Sequence, residues 1–371
     1  MARSLEEAYS EHCSNSDPAW SDRPGAGRRP PHVQHGRGSR PRLRGRGEDA
    51  EGEESMIHII VNPAGAGGKT LEYFRKSVLP LFAQSNYEIH FSSKERGVGE
   101  ITAALTDPGR RGADSYVNLV IVGGDGTMNE VMNGIRDFEH TRVGIVPAGS
   151  GNDLARGLDL PSDLRGIVSR IRQEKTFRQI DVGETILHDR DVRMRFVVSS
   201  GIGFDAEVCH RIQAASLKSI LNRVGLGKLV YLLEAVRLIF QWKSAPAALY
   251  LCSGEGEEKL VRKLDRFVFT AAMNHRFEGG GFMLCPKASD EDGQMDYCIV
   301  HDLTVTGFFR FFPLALKGKH VRHKECVGQA RGLSLRVRSE KPLCVHCDGE
   351  AVYTSGDAQM GIAPYKLNLM V

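Results

Sequence analysis

The sequence predicts an α/β domain on the N-terminal side, followed by a mainly β domain. Three observations predict this arrangement. Strand and helix patterns alternate over residues 56–180, and short strand-like runs dominate the residues that follow. The third observation is length, because a core of about 300 residues commonly divides into two domains. We expect the active site in the interdomain cleft.

The first element is predicted as the strand Ile57–Val61, which runs directly into the glycine-rich stretch Asn62–Gly68. The next residues complete a Gly-Lys-Thr sequence that imitates the end of a P-loop. That motif requires a glycine five residues before Gly68, where this chain has Pro63. The dinucleotide-binding fingerprint also fails, because its third glycine would fall on Thr70. Neither standard phosphate loop is therefore present.

The most informative element is a strand, turn and helix unit. The apolar run Asn118–Val122 leads into the glycine turn Gly123–Thr127, and apolar residues recur behind it at helical spacing: Met128, Val131, Met132 and Ile135. Glycines let the backbone approach a polyanion, and a helix N-terminus offers free N–H groups. Because a carboxylate repels bare phosphate, Asp125 fits better as an outer partner of Mg²⁺ or of an ordered water. The unit predicts nucleotide phosphates held with a metal.

A third glycine turn follows the strand-like run Val143–Val146. It spans Pro147–Asp153, and the helical sequence Leu-Ala-Arg continues from it. Three strand ends with glycine-rich turns would line one crevice at the carboxyl edge of a parallel sheet, where open α/β folds bind ligands. The sequence therefore predicts a Rossmann-like domain with a parallel sheet and a nucleotide site at this edge.

These turns and the ordered motifs of the second half resemble the diacylglycerol kinase catalytic family. Within that family, the chain is similar to the soluble bacterial diacylglycerol kinases and the YegS/BmrU-like lipid kinases, which are relatives of the sphingosine kinases. The resemblance covers residues 56–371. It rests on Asn62-Pro63 with Gly65, Gly123–Thr127 with Asn129 and Glu130, Pro147–Arg156, Ile180–Gly183, Gly201–Ala206, Asn274, Gly279–Gly281, Pro286, Asp292-Gly293 and Asp348–Glu350.

The resemblance implies an ATP- and Mg²⁺-dependent lipid kinase that transfers the γ-phosphate to a lipid hydroxyl. Diacylglycerol is the favoured substrate and phosphatidic acid the product. Two alternatives stay open: an enzyme like NAD kinase, which shares the Gly-Gly-Asp-Gly turn, and a catalytically silent regulator that binds nucleotide or lipid. The implied nucleotide contacts are Asn62, Pro63, Ala64, Gly65, Ala66, Gly67, Ser93, Gly123, Gly124, Asp125, Gly126, Thr127, Asn129 and Ser150.

The general base is expected in the sequence Asp348-Gly349-Glu350. A glycine between two carboxylates makes a tight turn that can point both toward the cleft. Glu350 is the first choice to accept the proton of the lipid hydroxyl, and Asp348 would orient or replace it. The alternative is a hairpin turn with solvated acids.

The metal position follows from the resemblance alone. It implies Asp292 as the Mg²⁺ ligand, with backbone carbonyls near Ser289 and Gln294, and oxygen ligands in a turn suit Mg²⁺. Three further acids match residues that join this site through water molecules in the family: Asp125, Asp153 and Asp181.

Strand-like runs predict the second half to be mainly β: Arg195–Val198, Phe267–Thr270, Tyr297–Val300 and Leu333–Val337. We predict an ATP-binding α/β domain over residues 56–180 and a mainly β lipid-substrate domain over 181–355. The resemblance implies that a C-terminal segment, 356–371, returns to the first domain.

Residues 1–55 differ in composition, with arginine interleaved with glycine and proline before an acidic stretch. The lack of apolar periodicity predicts disorder, and neither a signal peptide nor a transit peptide fits. A nucleic-acid arm or membrane tether stays open, although charge runs are commonly only solvated, and we expect no nucleic-acid partner. Because Met56 directly precedes the first strand, an over-long start assignment is the preferred explanation.

No apolar run reaches the roughly eighteen residues of a spanning helix. Two stretches are candidates for lipid contact, residues 226–240 and Phe308–Phe312, although a helix packed on the β domain explains the first equally well. We expect a cytoplasmic enzyme, peripheral at the inner membrane surface, that meets its lipid substrate there. A homodimer is left open.

The eight cysteines are expected to be reduced thiols. Four residues have spacing suited to zinc: His323, Cys326, Cys344 and Cys347. We favour the alternative that the residues around Cys344 form a strand leading into Asp348–Glu350.

Overall fold

The structure is a computed structural model of the chain. It describes residues 56–110, 115–149, 151–173, 177–214, 227–253 and 257–371. The predictions made for residues 1–55 and for Ser150 lie outside these ranges, as does part of the stretch 226–240.

The first four strands pair in parallel, in the spatial order β2-β1-β3-β4. They are β1 Ile57–Val61, β2 Tyr87–Phe91, β3 Val117–Gly123 and β4 Thr141–Pro147. β3 is buried along its whole length and β4 up to its last residue, as expected for parallel strands covered on both faces. The carboxyl ends of β1, β3 and β4 lead into the three glycine turns, so the turns share one edge of the sheet.

Helices cover both faces of these strands. In chain order, the α-helices are α1 Val98–Leu105, α2 Asp125–Gly134, α3 Asp153–Gly157, α4 Leu164–Arg172, α5 Phe204–Ala214, α6 Gly227–Ile239 and α7 Val305–Ala315, and the last three pack against strands of the second half. Short helical turns occupy Gly65–Gly68, Thr70–Tyr73, Phe74–Val78, Leu79–Phe82, Pro108–Arg110 and His320–Arg322. α1 and α2 pack on one face and α4 on the other. The predicted apolar face of α2 is buried, and Met128, Val131 and Met132 lie in the core.

The second half is rich in β structure, as predicted. Its strands are β5 Arg178–Leu187, β6 Val192–Phe196, β7 Ser199–Gly203, β8 Ala245–Cys252, β9 Glu258–Met273, β10 Met295–His301, β11 Val327–Gly332, β12 Ser334–Cys347 and β13 Glu350–Met370. β13 pairs antiparallel with β12 and β5, and its last residues pair in parallel with β4. The predicted boundary between residues 355 and 356 therefore falls inside one strand.

One strand prediction is wrong in detail. Arg195–Val198 is not a single strand, because β6 ends at Phe196 and a bend at residues 197 and 198 separates it from β7. The backbone N–H groups of Val197 and Val198 donate to the carboxylate of Asp348 rather than to a neighbouring strand. The carboxylate of Asp348 therefore holds the bend.

The two predicted lipid-contact stretches pack beside each other. In α7, Phe308 and Phe311 are buried, whereas Phe309 is 49% exposed. Phe240, directly after α6, is 66% exposed, and its ring centroid lies 6.2 Å from that of Phe309. Each stretch thus contributes both to the core and to an exposed aromatic pair. Among the described residues, no helix combines the length and apolar character needed to cross a membrane.

Candidate active site

The second and third glycine turns touch backbone to backbone. A Cβ atom added at Gly124 would lie 2.8 Å from the Cα of Gly149, and one added at Gly149 would lie 2.6 Å from the Cα of Gly124. The N–H of Ala148 donates to the carbonyl of Gly123 across the same contact, at 2.8 Å. Only glycine fits at Gly124 and Gly149, so these residues are explained by the close approach of the turns.

The first glycine turn joins the second through Asn62. Its side-chain amide lies 3.4 Å from the hydroxyl of Thr127, and its side-chain oxygen accepts the N–H of Ala64 at 3.1 Å. The turn continues through three residues with positive φ, at 50° for Ala66, 68° for Gly67 and 90° for Gly68. The structure thus brings together the turn residues predicted to bind nucleotide.

Ser93 lies in the loop that follows β2. Its hydroxyl accepts the N–H groups of Glu95 and Arg96 at 3.2 Å each and donates to the carboxylate of Glu95 at 2.7 Å. These contacts order the loop at the same carboxyl edge of the sheet.

Asp125 connects the second turn to the start of α3. Its two carboxylate oxygens accept the N–H groups of Asp153 and Leu154, at 3.1 and 3.2 Å. A carboxylate in this position also suits the positive end of the helix. Burial raises the pKa of Asp125, and the charge of Asp153 adds to the rise. The carboxylate therefore stabilises the third turn.

The predicted base lies on a two-residue hairpin between β12 and β13. Cys347 and Glu350 face each other, and the two residues between them have positive φ, 51° at Asp348 and 82° at Gly349. This is the geometry of a tight type I′ hairpin, for which Asp-Gly is a preferred sequence. The segment is thus a hairpin turn, but its acids are not simply solvated.

Asp348 is held by donors on two other elements. It accepts the N–H groups of Val197, Val198 and Ser199 at 3.1, 2.8 and 3.1 Å, and the side-chain amide of Asn129 at 3.0 Å. Burial raises the pKa of Asp348 to about 6, and the four donors oppose that rise because they favour the charged form. Asn129, predicted as a nucleotide contact, is directed at this carboxylate.

Glu350 lies against the second glycine turn. A Cβ atom added at Gly126 would be 3.0 Å from Oε1 of Glu350, and its Oε2 accepts the side-chain amide of Gln213 at 2.7 Å. Glycine at position 126 therefore leaves the space that the carboxylate occupies. The hairpin places Asp348 in a ring of donors and Glu350 at the predicted phosphate turn.

The predicted metal turn forms a separate polar cluster. Asp292 is exposed, its Oδ1 accepts the N–H of Gln294 at 3.1 Å, and its Oδ2 pairs with Arg331. Ser289 is half-buried in the same loop. Asp181 is joined to the turn by the N–H of Gly293, at 2.7 Å, and its other oxygen pairs with Lys366 at 2.6 Å.

Asp153 contacts the third glycine turn and the segment around Gly280. It forms an ion pair with Arg156 and accepts the N–H of Gly280 at 2.6 Å. Of the three acids expected to join the metal through water, Asp181 thus contacts the Asp292 turn directly. Asp125 and Asp153 hold the third glycine turn and the segment around Gly280.

Two family models match the chain. The diacylglycerol kinase catalytic domain matches residues 56–185, and the YegS C-terminal NAD kinase beta sandwich-like domain matches residues 197–371. The chain belongs to the diacylglycerol kinase catalytic family. Together the two models account for most of this family member's length, and residues 186–196, which include β6, lie between the two matches.

Bacterial relatives agree with this assignment. YtlR of Bacillus subtilis (strain 168), provisionally named a lipid kinase, is 29% identical over 311 residues, which are 83% of this chain and 95% of that protein. A diacylglycerol kinase of Mycobacterium tuberculosis (strain ATCC 25618 / H37Rv) is 29% identical over 239 residues, 64% of this chain and 70% of the relative. A diacylglycerol kinase structure from Bacillus anthracis str. Sterne has a TM-score of 0.57 at 17% identity, covering 85% of this chain and 96% of that one. That structural likeness supports the fold.

Beneath the hairpin, this family member has a buried histidine that the sequence analysis missed. Nδ1 of His346 accepts the N–H of Gly349 at 3.3 Å, so Nε2 carries the proton and faces two carboxylates. Those are Asp205 at 3.3 Å and Glu278 at 3.2 Å. The only available signal was the position of His346, two residues before Asp348, because its partners are far away in sequence.

The cysteine and histidine residues with zinc-like spacing do not come together as a ligand cluster in the described part of the chain. Cys344 donates to Glu207 at 2.9 Å, and Cys347 donates to Ser200 at 3.5 Å. His323 pairs instead with Glu325 at 2.8 Å. Cys344 and Cys347 belong to β12, the strand that leads into the hairpin.

Proposed function

We propose that the protein is an ATP- and Mg²⁺-dependent lipid kinase that phosphorylates the hydroxyl of diacylglycerol to give phosphatidic acid. The observation that carries the proposal is the close approach of Oε1 of Glu350 to Gly126, where it occupies the space a Cβ atom would need. It puts a carboxylate beside the turn expected to hold the phosphates of ATP. Phosphoryl transfer requires a positioned acceptor hydroxyl, and Glu350 is the group that would accept its proton.

Asp348 has a different role in this proposal. Its carboxylate accepts four hydrogen bonds, so it is already committed to orienting the hairpin. Oε2 of Glu350 accepts a hydrogen bond from the side-chain amide of Gln213, and Oε1 is directed at the second glycine turn. We therefore assign proton acceptance to Glu350 and positioning to Asp348.

The chemistry of the Asp292 turn fits Mg²⁺. Asp292 is exposed and shares Arg331 with Asp296, whose carboxylate lies 3.4 Å from that guanidinium. Two carboxylates with one cation leave excess negative charge in an oxygen-rich turn, which suits a hard divalent ion. Asp292 would bind Mg²⁺ in place of Arg331, with the carbonyls near Ser289 and Gln294. The ion would neutralise charge on the nucleotide.

We place the enzyme at the inner, cytoplasmic membrane surface. The aromatic pair of Phe240 and Phe309 is exposed where α6 and α7 pack together. Exposed aromatic side chains favour the interface between water and lipid. A peripheral enzyme could thus reach diacylglycerol without crossing the bilayer.

The test is transfer of labelled γ-phosphate from ATP by the purified full chain, with and without Mg²⁺. Acceptors are diacylglycerol in mixed micelles, a panel of other hydroxyl lipids, and NAD. We expect label in phosphatidic acid only when Mg²⁺ is present, and little with Glu350→Gln. Label in another lipid would correct the substrate. Label only in NADP would favour the NAD kinase alternative, and ATP binding without transfer would favour a silent regulator.

A further inference from the structure

Three potential metal ligands converge at the edge of the parallel sheet, away from the proposed kinase site. They are His58 on β1 and Glu88 and His90 on β2. β1 and β2 are parallel, with His58 opposite Glu88 and Ile60 opposite His90. Because residues two apart in a strand share a face, all three side chains project from the same side of the sheet.

The three ligand atoms are spaced like corners of a metal coordination shell. Nδ1 of His58 lies 3.1 Å from Nε2 of His90, and Oε2 of Glu88 lies 3.4 Å from the first nitrogen and 3.7 Å from the second. Ligands at about 2.0–2.1 Å from a tetrahedral zinc ion are about 3.3–3.4 Å apart. The three observed edges, 3.1, 3.4 and 3.7 Å, all lie within about 0.4 Å of that value.

Hydrogen bonding alone explains this convergence poorly. Three groups with lone pairs face one another here: Nδ1 of His58, Nε2 of His90 and Oε2 of Glu88. One N–H shared between the two nitrogens would leave no proton on either of them for the Glu88 oxygen. A single cation would accept all three lone pairs.

We propose that His58, Glu88 and His90 bind a divalent transition-metal ion of the zinc class. Two imidazoles and a carboxylate favour zinc, cobalt or nickel over Mg²⁺, which prefers oxygen ligands. The histidine side chains are 19% and 13% exposed and that of Glu88 is 58% exposed, so water can complete the shell. The site is therefore independent of the Mg²⁺ proposed for Asp292.

A metal ion bound at this site would link two neighbouring strands, β1 and β2. In the described sheet β2 lies at the end of the strand order and pairs with β1. The two strands lead into the loops that contain Asn62 and Ser93. A bound ion would fix the spacing of those loops by linking their strands.

The test is a titration of the chelator-stripped full chain with Co²⁺, monitored by the visible d–d absorption of the bound ion. Zn²⁺ is then added to displace the Co²⁺. The variants are His90→Gln and Glu88→Ala, and the matched control is His188→Gln, which removes a histidine paired with Gln359 elsewhere. Residues 1–55 also contain potential ligands, His12, Cys13, His32 and His35. Any binding there is common to all four proteins and is subtracted.

We expect the parent and His188→Gln to bind one more equivalent than His90→Gln. Affinity at this site should fall at least about 100-fold in His90→Gln and about 10-fold in Glu88→Ala, in keeping with the loss of one ligand from a small shell. Zn²⁺ should raise the melting temperature of the parent and the control only. Equal stoichiometry, affinity and spectra in all four proteins would overturn the proposal. If His90→Gln does not fold, Glu88→Ala decides, because that side chain is mostly exposed.

Discussion

The hydrogen bond from Asn129 to Asp348 gives the sharpest prediction. The amide of Asn129 is one of four donors that favour the charged form of this buried carboxylate. A hydrogen bond to a charged group contributes about 1.5–3 kcal/mol, and one pKa unit corresponds to about 1.4 kcal/mol. Asn129→Ala should therefore raise the pKa of Asp348 by about 1–2 units, from about 6 to between about 7 and 8.

The sign of the pH effect follows from the role of Asp348. Its ionised carboxylate accepts the three N–H groups of residues 197–199 and so fixes the hairpin that carries Glu350. Protonation weakens these bonds, so kcat/KM should fall as the pH drops below about 6. In Asn129→Ala the same acid limb should move up to between about pH 7 and 8.

The assay is kcat/KM for phosphoryl transfer to diacylglycerol between pH 5 and about 9, with folding checked at each pH by circular dichroism. Asn133→Ala is the matched control. Asn133 is one turn further along α2, and its amide donates to the same carbonyl of Arg195 at the same 3.1 Å, but it is not a donor to Asp348. An acid limb that stays in place in Asn129→Ala, or moves equally in Asn133→Ala, would refute the reasoning.

Three further predictions follow from the contacts of the site. Glu350→Gln should lower kcat by about 10²–10⁴-fold at an unchanged melting temperature, and near-parental turnover would remove Glu350 as the base. Gly124→Ala should destabilise the fold by about 1–3 kcal/mol in urea unfolding, because the new methyl meets the backbone of Gly149; an unchanged midpoint would contradict the tight packing of the turns. Arg331→Gln should lower the Mg²⁺ concentration that gives half-maximal activity, because Arg331 pairs with Asp292. Asp292→Asn should raise that concentration. A higher Mg²⁺ concentration for half-maximal activity in Arg331→Gln would show that Arg331 does not compete with the ion.

The free energy of unfolding should also depend on pH through the ionisation of Asp348. The pKa of its carboxyl is about 6 in the folded protein and about 3.9 in an unfolded chain, so between these values the folded state holds a proton that the unfolded state has released. Asp348 therefore makes its full stabilising contribution to the free energy of unfolding below about pH 4, and this contribution is lost as the pH rises through about 6. Asp348→Asn should remove that part of the pH dependence of urea unfolding, and an unchanged slope would contradict the assigned pKa.

Local patterns were enough to predict the glycine turns and α2. Glycine spacing and a 3.6-residue apolar period act over a few residues, so Gly123–Thr127 and the buried face of Met128 and Val131 follow from the sequence directly. The Asp-Gly hairpin is local in the same sense, because both of its residues take positive φ.

The rest of the site depends on contacts between distant parts of the chain. The sequence predicts a strand at residues 197 and 198 because both are β-branched. The bend found there is caused by hydrogen bonds to Asp348, about 150 residues later in the chain. His346 with its carboxylates, and His58 with Glu88 and His90, are likewise assembled by strand pairing and packing. Such sets have no local period or spacing that sequence reasoning can detect.

β13 explains how Glu350, the proposed base, is held in position relative to the glycine turns. It begins at Glu350 and ends at Met370, where it pairs with β4, the strand that leads into the third turn. Its ladder with β5 shifts register between Ile362 and Lys366, where Pro364 lacks an N–H to donate. The ladder is interrupted only at this point and resumes at Lys366, so paired residues lie on both sides of Pro364. One strand thus links Glu350 to the strand that leads into the third turn.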